Sequence, residues 1–298
     1  MIDIPLHSTL KNIKQIQKGM SGDKKYYIET DDNQQLLLRV SDISEYARKK
    51  SEYKLMNRLS KLGVPMPKTI DFGICNHNQS VYILLQWIDG KEVEEIVPQL
   101  NEREQYSLGY KSGKILRLIH SIQVPEDKND WFNRYYSVME ERLNAYKTQG
   151  IPFEGSDKII SFLERNKYLL KDRPQCYHHG DYHMGNMIRT SKEELYVIDW
   201  HTVDFDNYGD PWYEFNRIAT QYPIFASGQI DGYFNDNPPE PFWKLFEFYL
   251  SASAITSIVW AKYMAPQELE AIIQLNYKIL DWFDGMANPI PTWYRTRI

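Results

Sequence analysis

The chain has 298 residues, of which 42% are hydrophobic and 25% charged, and its formal net charge is -5. This composition is typical of a soluble globular protein with one large core or two lobes, and the acidic balance argues against a nucleic-acid-binding protein. Cys75 and Cys176 lie in unrelated contexts and no signal-peptide pattern begins the sequence, so we expect a protein of the reducing cytoplasm.

The first third of the chain has a β-rich pattern. Turn-forming residues at 19–22 and 31–33 separate the first three apolar runs, and residues 44–62 carry apolar side chains at helical spacing. The predicted strands cover residues 13–17, 25–29, 35–40, 69–74 and 80–85. These elements predict a five-stranded sheet with one helix over residues 1–86, followed by a linker at 87–90.

The remainder, residues 91–298, is predicted to be mainly helical. Asn101 and Glu104 form a plausible capping pair, and Asp210 before a proline reads as another helix start. The uncharged run 248–261 is too short to span a bilayer and favours a buried helix. Helices are predicted from 101, over 135–148, 156–170, 210–221, 241–262 and 266–284, interrupted by a loop and hairpin at 177–198.

One loop carries the most specific chemistry, His179-Gly-Asp-Tyr-His-Met-Gly-Asn186. Its Asp and Asn can both face one site, and a second carboxylate, Asp199, follows the apolar run 195–198, which is typical of a strand. A catalytic base and two hard oxygen ligands for Mg2+ are the groups that a protein needs to transfer a phosphoryl group from Mg-ATP to a hydroxyl.

These residues resemble the catalytic and metal loops of the aminoglycoside phosphotransferase family, relatives of the protein kinases, in which H-G-D-x-x-x-x-N is followed by I-D-[FW]. The resemblance implies an α+β, protein-kinase-like fold with a small five-stranded antiparallel N-lobe, one helix in that lobe, and a larger helical C-lobe. It implies that Asp181 is the catalytic base, that Asn186 and Asp199 bind Mg2+, and that ATP is the donor, with GTP left open. His179 is implied to brace the catalytic loop.

The resemblance also implies a phosphate-binding region. Gly19, Ser21 and Gly22 match the turn that covers the nucleotide phosphates, although a plain β-turn also explains two glycines. Arg39 stands where the family usually has a phosphate-binding Lys, and it is expected to pair with Glu52. Glu45 is the alternative partner, and Lys24 or Lys25 is the next candidate if Arg39 does not contact the phosphates.

The base-binding region is predicted at the linker. Backbone groups near Gln86 and Ile88 are expected to hydrogen-bond the base, and Ile198 is expected to pack against the ring. Both isoleucines could equally belong to the core.

The sequence indicates the acceptor substrate less clearly than the type of reaction. An acidic stretch between residues 199 and 240 would attract a polycationic aminosugar, such as an aminoglycoside antibiotic in a resistance enzyme. A solvated acidic loop explains the same stretch as well. The chain ends with the basic segment Tyr294-Arg-Thr-Arg-Ile298, whereas well-known aminoglycoside kinases bring acidic groups to their substrate there. The candidate substrate residues are Asp204, Asp206, Glu214 and Asp231.

Three other functions stay open. A kinase for choline, homoserine, fructosamine or a similar metabolite would need the same loops, and Arg39 permits a nucleotide-binding protein without transfer activity. A metal-dependent hydrolase would use the histidines near Asp181, but adjacent histidines usually point apart. Those histidines are His178, His179, His183 and His201. We expect a small-molecule hydroxyl acceptor, no nucleic-acid or membrane partner, and a monomer or homodimer.

Overall fold

The computed structural model describes residues 4, 10–17, 22–122, 124, 130–200, 207–218 and 220–296. The chain divides into two compact units, the first made of Met1–Ile96 and Met184–Thr202 and the second of Val97–His183 and Val203–Ile298. The first unit therefore runs past the predicted linker, because Lys91 and Glu92 pair with the strand Met187–Arg189.

The strands are, in chain order, β1 (Leu10–Ile16), β2 (Lys24–Thr30), β3 (Gln35–Asp42), β4 (Thr69–Cys75), β5 (Ser80–Gln86), β6 (Lys91–Glu92), β7 (Cys176–Tyr177), β8 (Met187–Arg189), β9 (Leu195–Val197) and β10 (Tyr208–Gly209). The helices are α1 (Tyr46–Lys61), α2 (Val93–Ile96), α3 (Glu102–Ile119), α4 (Trp131–Gln149), α5 (Ser156–Asn166), α6 (Pro223–Phe234), α7 (Glu240–Met264) and α8 (Leu269–Trp282). The five predicted strands and the helix of the first third are confirmed.

The first unit contains a five-stranded antiparallel sheet with the strand order β1-β2-β3-β5-β4. Successive side chains of a strand point to opposite faces, so each strand supplies two different surfaces. On one face Ile28, Leu36 and Leu38 pack into a buried apolar core. On the other face Leu37 and Arg39 of β3 line a cavity.

The second unit has a helical core around α7, which packs against α4 and α5. The predicted cap is present, since Asn101 and Glu104 form a reciprocal capping box at the start of α3. Although α7 is long and largely buried, none of the helices in the described part of the chain has the length and apolar character to cross a membrane.

Two predictions for the second unit are corrected. The segment predicted as a helix over 210–221 is a 3-10 helix, Pro211–Arg217, because its main-chain bonds span three residues, as from Ile218 to Phe215. The helix α6 was not predicted at all. Every residue from Ile224 to Tyr233 is buried, so the sequence lacks the one-sided apolar period by which surface helices are recognised.

Close packing between α3 and α6 depends on glycine. A Cβ atom on Gly113 of α3 would lie 2.1 Å from the carbonyl oxygen of Gln229, and one on Gly232 of α6 would lie 2.1 Å from that of Tyr110. Both atoms that would be met are backbone, so a side chain cannot be accommodated by a rotamer change.

We expect Gly113→Ala to lower the free energy of unfolding by about 1–3 kcal/mol, because overpacking outweighs the better helix propensity of alanine. Urea denaturation measures the change. Ser107→Ala, on the exposed part of the same helix, is the matched control and should change stability by less than about 0.5 kcal/mol. A Gly113→Ala protein as stable as wild type would contradict the close helix contact.

Candidate active site

The β8–β9 hairpin brings two predicted metal ligands together. Met187 pairs with Val197, so the residues just outside the hairpin, Asn186 and Ile198, lie side by side. The N–H of Ile198 donates to the carbonyl oxygen of Asn186 at 2.9 Å. Asp199 follows with a positive φ of 62°, a left-handed conformation that Asp adopts more readily than most residues.

A cavity of about 440 Å³ lies in the first unit, within the size range of small-molecule sites. Apolar side chains of the sheet and the hairpin, including Leu37, Leu85 and Ile198, form part of its wall. The predicted site residues in this wall are Arg39, Gln86, Ile88, Asn186, Ile198 and Asp199.

The linker segment offers main-chain groups to this cavity. The N–H of Gln86 donates to Lys68 O at 2.8 Å, and the N–H of Trp87 donates to Gln35 O at 3.0 Å. For the N–H of Ile88, no partner is found among the described residues. Ile88 is therefore better suited than Gln86 to donate a main-chain hydrogen bond to a ligand.

Four charged side chains form a buried group in the first unit, here called the charged cluster: Asp23, Arg39, Lys49 and Glu52. Arg39 Nη1 lies 2.7 Å from Glu52 Oε1, and Arg39 Nη2 lies 2.7 Å from Asp23 Oδ2. Lys49 Nζ lies 2.6 Å from Asp23 Oδ2 and 3.3 Å from Glu52 Oε2. The expected pairing of Arg39 with Glu52 is present, whereas Glu45, the alternative, pairs with Arg48.

The protonation states of the charged cluster follow from its contacts. Burial alone would raise the pKa of Asp23, but Arg39 and Lys49 outweigh it and hold that pKa well below its ordinary value. Burial opposes the charge of Arg39, yet Glu52 and Asp23 raise its pKa overall. Asp23 and Arg39 are therefore ionised at neutral pH, whereas burial lowers the pKa of Lys49.

In the second unit, Glu214 fixes the loop that carries Asp181. Its carboxylate accepts hydrogen bonds from the N–H of His179 at 3.1 Å and of Gly180 at 2.6 Å, and it lies 2.8 Å from His120 Nε2. Gly180 has a φ of 86°, which glycine adopts without strain. His179 Nδ1 accepts the N–H of Asp181 at 3.3 Å, the bracing contact expected of this histidine.

Two cationic or polar side chains face Asp181. Arg217 Nη1 lies 2.9 Å from Oδ1, and His183 Nε2 lies 3.3 Å from Oδ2. Burial would raise the pKa of Asp181, but the hydrogen bond from His183 and the charge of Arg217 lower it to about 2. Asp181 is therefore an anionic hydrogen-bond acceptor at neutral pH.

Of the four candidate substrate residues, the two that the structure describes do not lie at an open acidic surface. Glu214 and Asp231 are buried, and the hydroxyl groups of Tyr106 and Tyr294 donate to the Asp231 carboxylate. The structure thus gives both residues internal contacts in place of the predicted substrate contact. Gly22 is exposed, while Gly19, Ser21, Asp204 and Asp206 lie outside the described residues.

The histidines of the alternative metal-hydrolase interpretation do not form one ligand group within the described ranges, and His201 lies outside them. The clustered potential ligands there are His120, Cys176 and His178, whose ligand atoms lie within 4.8 Å of one another. Glu214 and Tyr233 contact the two ring nitrogens of His120. Burial raises the pKa of the Cys176 thiol, so it stays protonated. The arrangement is that of a packed polar core.

Several site residues were missed or underrated by the sequence reasoning. The sequence assigned no role in the site to Asp23 or Arg217. Lys49 had one usable signal, because it lies three residues before Glu52 and so on the same helical face. Asp210 performs its expected structural role by capping Trp212 N–H at 2.9 Å.

Comparisons with known proteins show the family and the fold of the chain. A model of the phosphotransferase enzyme family, APH, matches residues 12–243. Among curated proteins, acyl-CoA dehydrogenase family member 10 from Mus musculus is 24% identical over 301 residues, which cover 91% of this chain. The chain spans only 27% of that relative's length.

Solved structures of similar fold include three small-molecule kinases. A choline/ethanolamine kinase family protein from Mesorhizobium loti has a TM-score of 0.64 at 12% identity, covering 96% of this chain and 94% of that one. ADP-bound aminoglycoside phosphotransferase APH(2'')-Ib has a TM-score of 0.61 at 18% identity, covering 91% and 94%. Amicoumacin kinase hAmiN in complex with AMP-PNP, Ca2+ and Ami has a TM-score of 0.60 at 14% identity, covering 94% and 90%.

The buried carboxylate of Glu214 predicts a pH dependence of stability. Burial alone would raise its pKa, but His120 and the other histidines nearby lower it from 4.5 to about 2. A depressed folded-state pKa stabilises the fold above the unfolded-state pKa, and the stabilisation is lost as the pH falls from about 4.5 towards 2. Glu214→Gln should therefore flatten the dependence of unfolding free energy on pH in that window.

Urea denaturation of both proteins across this pH range measures the difference. Glu164→Gln, at an exposed ion pair in the same unit, is the control and should leave the pH dependence almost unchanged. Parallel curves for wild type and Glu214→Gln would contradict the assigned bracing role.

Proposed function

The chain belongs to the phosphotransferase enzyme family, on the match over residues 12–243, and we propose that it transfers the γ-phosphoryl group of ATP to a hydroxyl of a small-molecule acceptor. It is a kinase-type phosphotransferase with an α+β fold. ATP as donor, Mg2+ as metal and the acceptor class are the parts that we propose.

The observation that supports ATP most directly is the cavity of the first unit. Its wall combines a main-chain donor at Ile88, apolar side chains such as Ile198, and the polar residues Asn186 and Asp199. A nucleotide needs this combination, with apolar surface for the base and charged or polar groups for the phosphates.

A divalent cation fits the donor set. The carboxylate of Asp199 and the side-chain carbonyl of Asn186 are hard oxygen ligands, and both residues line the same cavity. Bound there, Mg2+ would neutralise phosphate charge during transfer. The solved amicoumacin kinase holds AMP-PNP with Ca2+, which supports a nucleotide with a divalent cation in this chain too.

Asp181 is proposed to orient the acceptor hydroxyl. Its low pKa, about 2, makes it a weak base but a permanent hydrogen-bond acceptor at neutral pH. Phosphoryl transfer depends mainly on positioning and charge neutralisation, so orienting the acceptor hydroxyl is a sufficient task for this carboxylate. The bonds from Glu214 to the loop backbone hold Asp181 ready for it.

The acceptor needs a broad screen. An aminoglycoside remains one proposal, and the choline/ethanolamine and amicoumacin kinases of similar fold favour testing other hydroxyl compounds as well. Because Arg217 and His183 face Asp181, hydroxy acids belong in the panel beside aminoglycosides, macrolides, amino sugars and amino alcohols. We propose a cytoplasmic location, because Cys75 and Cys176 are buried thiols.

An ATP-consumption assay over this panel, with ADP and the phosphorylated acceptor identified by mass spectrometry, tests the proposal. We expect at least one acceptor to yield a phosphate monoester together with ADP. Release of inorganic phosphate without any phosphorylated acceptor would identify a nucleotidase activity and contradict the proposal.

Asp181→Asn should lower turnover by about 100- to 10,000-fold while ATP affinity changes little, because Asp181 is proposed to touch the acceptor and not the nucleotide. Steady-state kinetics and calorimetric ATP titration measure the two effects separately. Asp172→Asn, at an exposed turn of the same unit, is the matched control with unchanged turnover. Near-normal turnover of Asp181→Asn would remove this residue from the reaction.

Asp199→Asn should weaken Mg2+-dependent ATP binding and lower turnover by about 100-fold or more, because a charged ligand is lost where charge develops. Asparagine is the chosen replacement, since it tolerates the left-handed backbone at this position. Asn186→Ala should have the smaller effect on Mg2+ affinity because a neutral oxygen is the weaker ligand. Titration with ATP, with and without Mg2+, tests this order, and the reverse order would exchange the two roles.

A further inference from the structure

We propose that Lys25 supplies the cationic contact to the nucleotide phosphates, and that Arg39, in the position where the family usually has this cation, serves to hold the cavity wall together. The inference rests on the proposed function, because it assumes that the cavity of the first unit binds a nucleotide.

Arg39 is already engaged by protein groups. Its Nε donates to Asp23 at 2.9 Å and its Nη2 to the same carboxylate at 2.7 Å. Its Nη1 donates to Glu52 at 2.7 Å and to the carbonyl oxygen of Trp200 at 3.0 Å. These bonds use most of the N–H groups of a guanidinium, and the side chain is only 3% exposed. A phosphate would have to displace one of these partners.

The charge of Arg39 is also compensated. Within the charged cluster, Asp23 and Glu52 balance the two cations, Arg39 and Lys49. Lys49 cannot serve instead, since its side chain is 2% exposed and it contacts both carboxylates. The cluster as a whole therefore offers no excess positive charge to an anionic ligand.

The sheet register places Lys25 beside Arg39 on the cavity face. In the antiparallel pairing of β2 with β3, Lys25 lies directly opposite Arg39, and directly opposed residues project to the same face. Both residues line the cavity. Lys24 is paired with Val40 and projects to the other face, where it is exposed.

Lys25 also reaches the predicted metal ligand. Its Nζ lies 3.7 Å from Asp199 Oδ1, and its side chain is 14% exposed. The carboxylate that binds a metal–nucleotide complex lies next to the phosphates, so an ammonium group at this position can contact them. Lys91 also lines the cavity, but it follows the linker segment that is proposed to bind the base.

In this chain the cation that contacts the phosphates therefore lies on β2, the strand adjacent to β3. A single ammonium group on a flexible stem can contact phosphate oxygens as the usual Lys does, whereas the forked guanidinium suits the two buried carboxylates. This arrangement explains how the chain can carry Arg39 and still keep Asp181, Asn186 and Asp199.

Binding of ATP, ADP and adenosine to the full chain, measured by calorimetry in EDTA and again with Mg2+, tests the assignment. Lys25→Met should weaken ATP and ADP binding by about 10- to 100-fold, as expected for loss of one charge-assisted hydrogen bond, and leave adenosine binding unchanged. The effect should persist in EDTA, since the contact does not depend on the metal. Lys24→Met, one residue away on the opposite face, should bind all three ligands like wild type.

Two further variants separate the roles. Lys25→Arg should retain most of the preference for ATP over adenosine. Arg39→Gln should lower the thermal stability but keep that preference in the folded fraction; if it does not fold, the Lys25 variants still decide the question. An unchanged preference in Lys25→Met, or its loss in Arg39→Gln alone, would overturn the assignment.

Nucleotide binding by the wild-type chain distinguishes a failure of the Lys25 assignment from a failure of the proposed function. If the wild type binds ATP and the Lys25→Met protein binds ATP equally well, only the assignment of Lys25 fails. If the wild type binds neither ATP nor ADP, the proposed function fails, and this inference fails with it.

Discussion

The first unit depends on the compensation of four buried charges. These charges come from the residue before β2, from β3 and from α1, so satisfying each charge fixes these elements relative to one another; the residues are Asp23, Arg39, Lys49 and Glu52. Removing one partner of such a group leaves an uncompensated charge in the interior, which typically costs about 3–5 kcal/mol. The same cluster contacts the segment proposed to bind the metal, because Arg39 donates to the carbonyl oxygen of Trp200, the residue after Asp199. The left-handed backbone of Asp199 is therefore held on its carboxyl side by the cluster and on its amino side by the hairpin.

In the second unit, a single buried carboxylate fixes the conformation of a functional segment. Glu214 accepts two main-chain N–H groups of the loop that carries Asp181 and contacts His120, so the loop conformation is fixed by a buried anion rather than by regular secondary structure. Asp210 supports the neighbouring segment, since it caps Trp212 and its carbonyl oxygen contacts His178. In both units, buried polar groups hold the segments that carry the more accessible carboxylates, Asp181 and Asp199, which we propose as the groups that contact ligands. Preorganisation of this kind is what phosphoryl transfer requires from a protein.

The sequence was sufficient where the information is local. Turn-forming residues bound the strands of the first third, and the capping pair Asn101 and Glu104 is a short-range signal. It was insufficient where burial or pairing between distant segments decides the outcome. The helix α6 is buried on all sides and has no period to detect, and the acidic residue Asp231 within it is buried against tyrosines. The position of Lys25 relative to Arg39 depends on the register between β2 and β3, which the spacing of residues along the chain does not reveal.

The central claim is that the cavity of the first unit is a nucleotide site. A crystal structure of the chain with Mg2+ and a non-hydrolysable ATP analogue tests it most directly. We expect the base beside the main chain of Ile88 and against Ile198, the metal on Asn186 and Asp199, and the phosphates within reach of Lys25. We also expect that Arg39 keeps its contacts to Asp23 and Glu52. A nucleotide bound outside this cavity, or a metal held by neither Asn186 nor Asp199, would contradict the account.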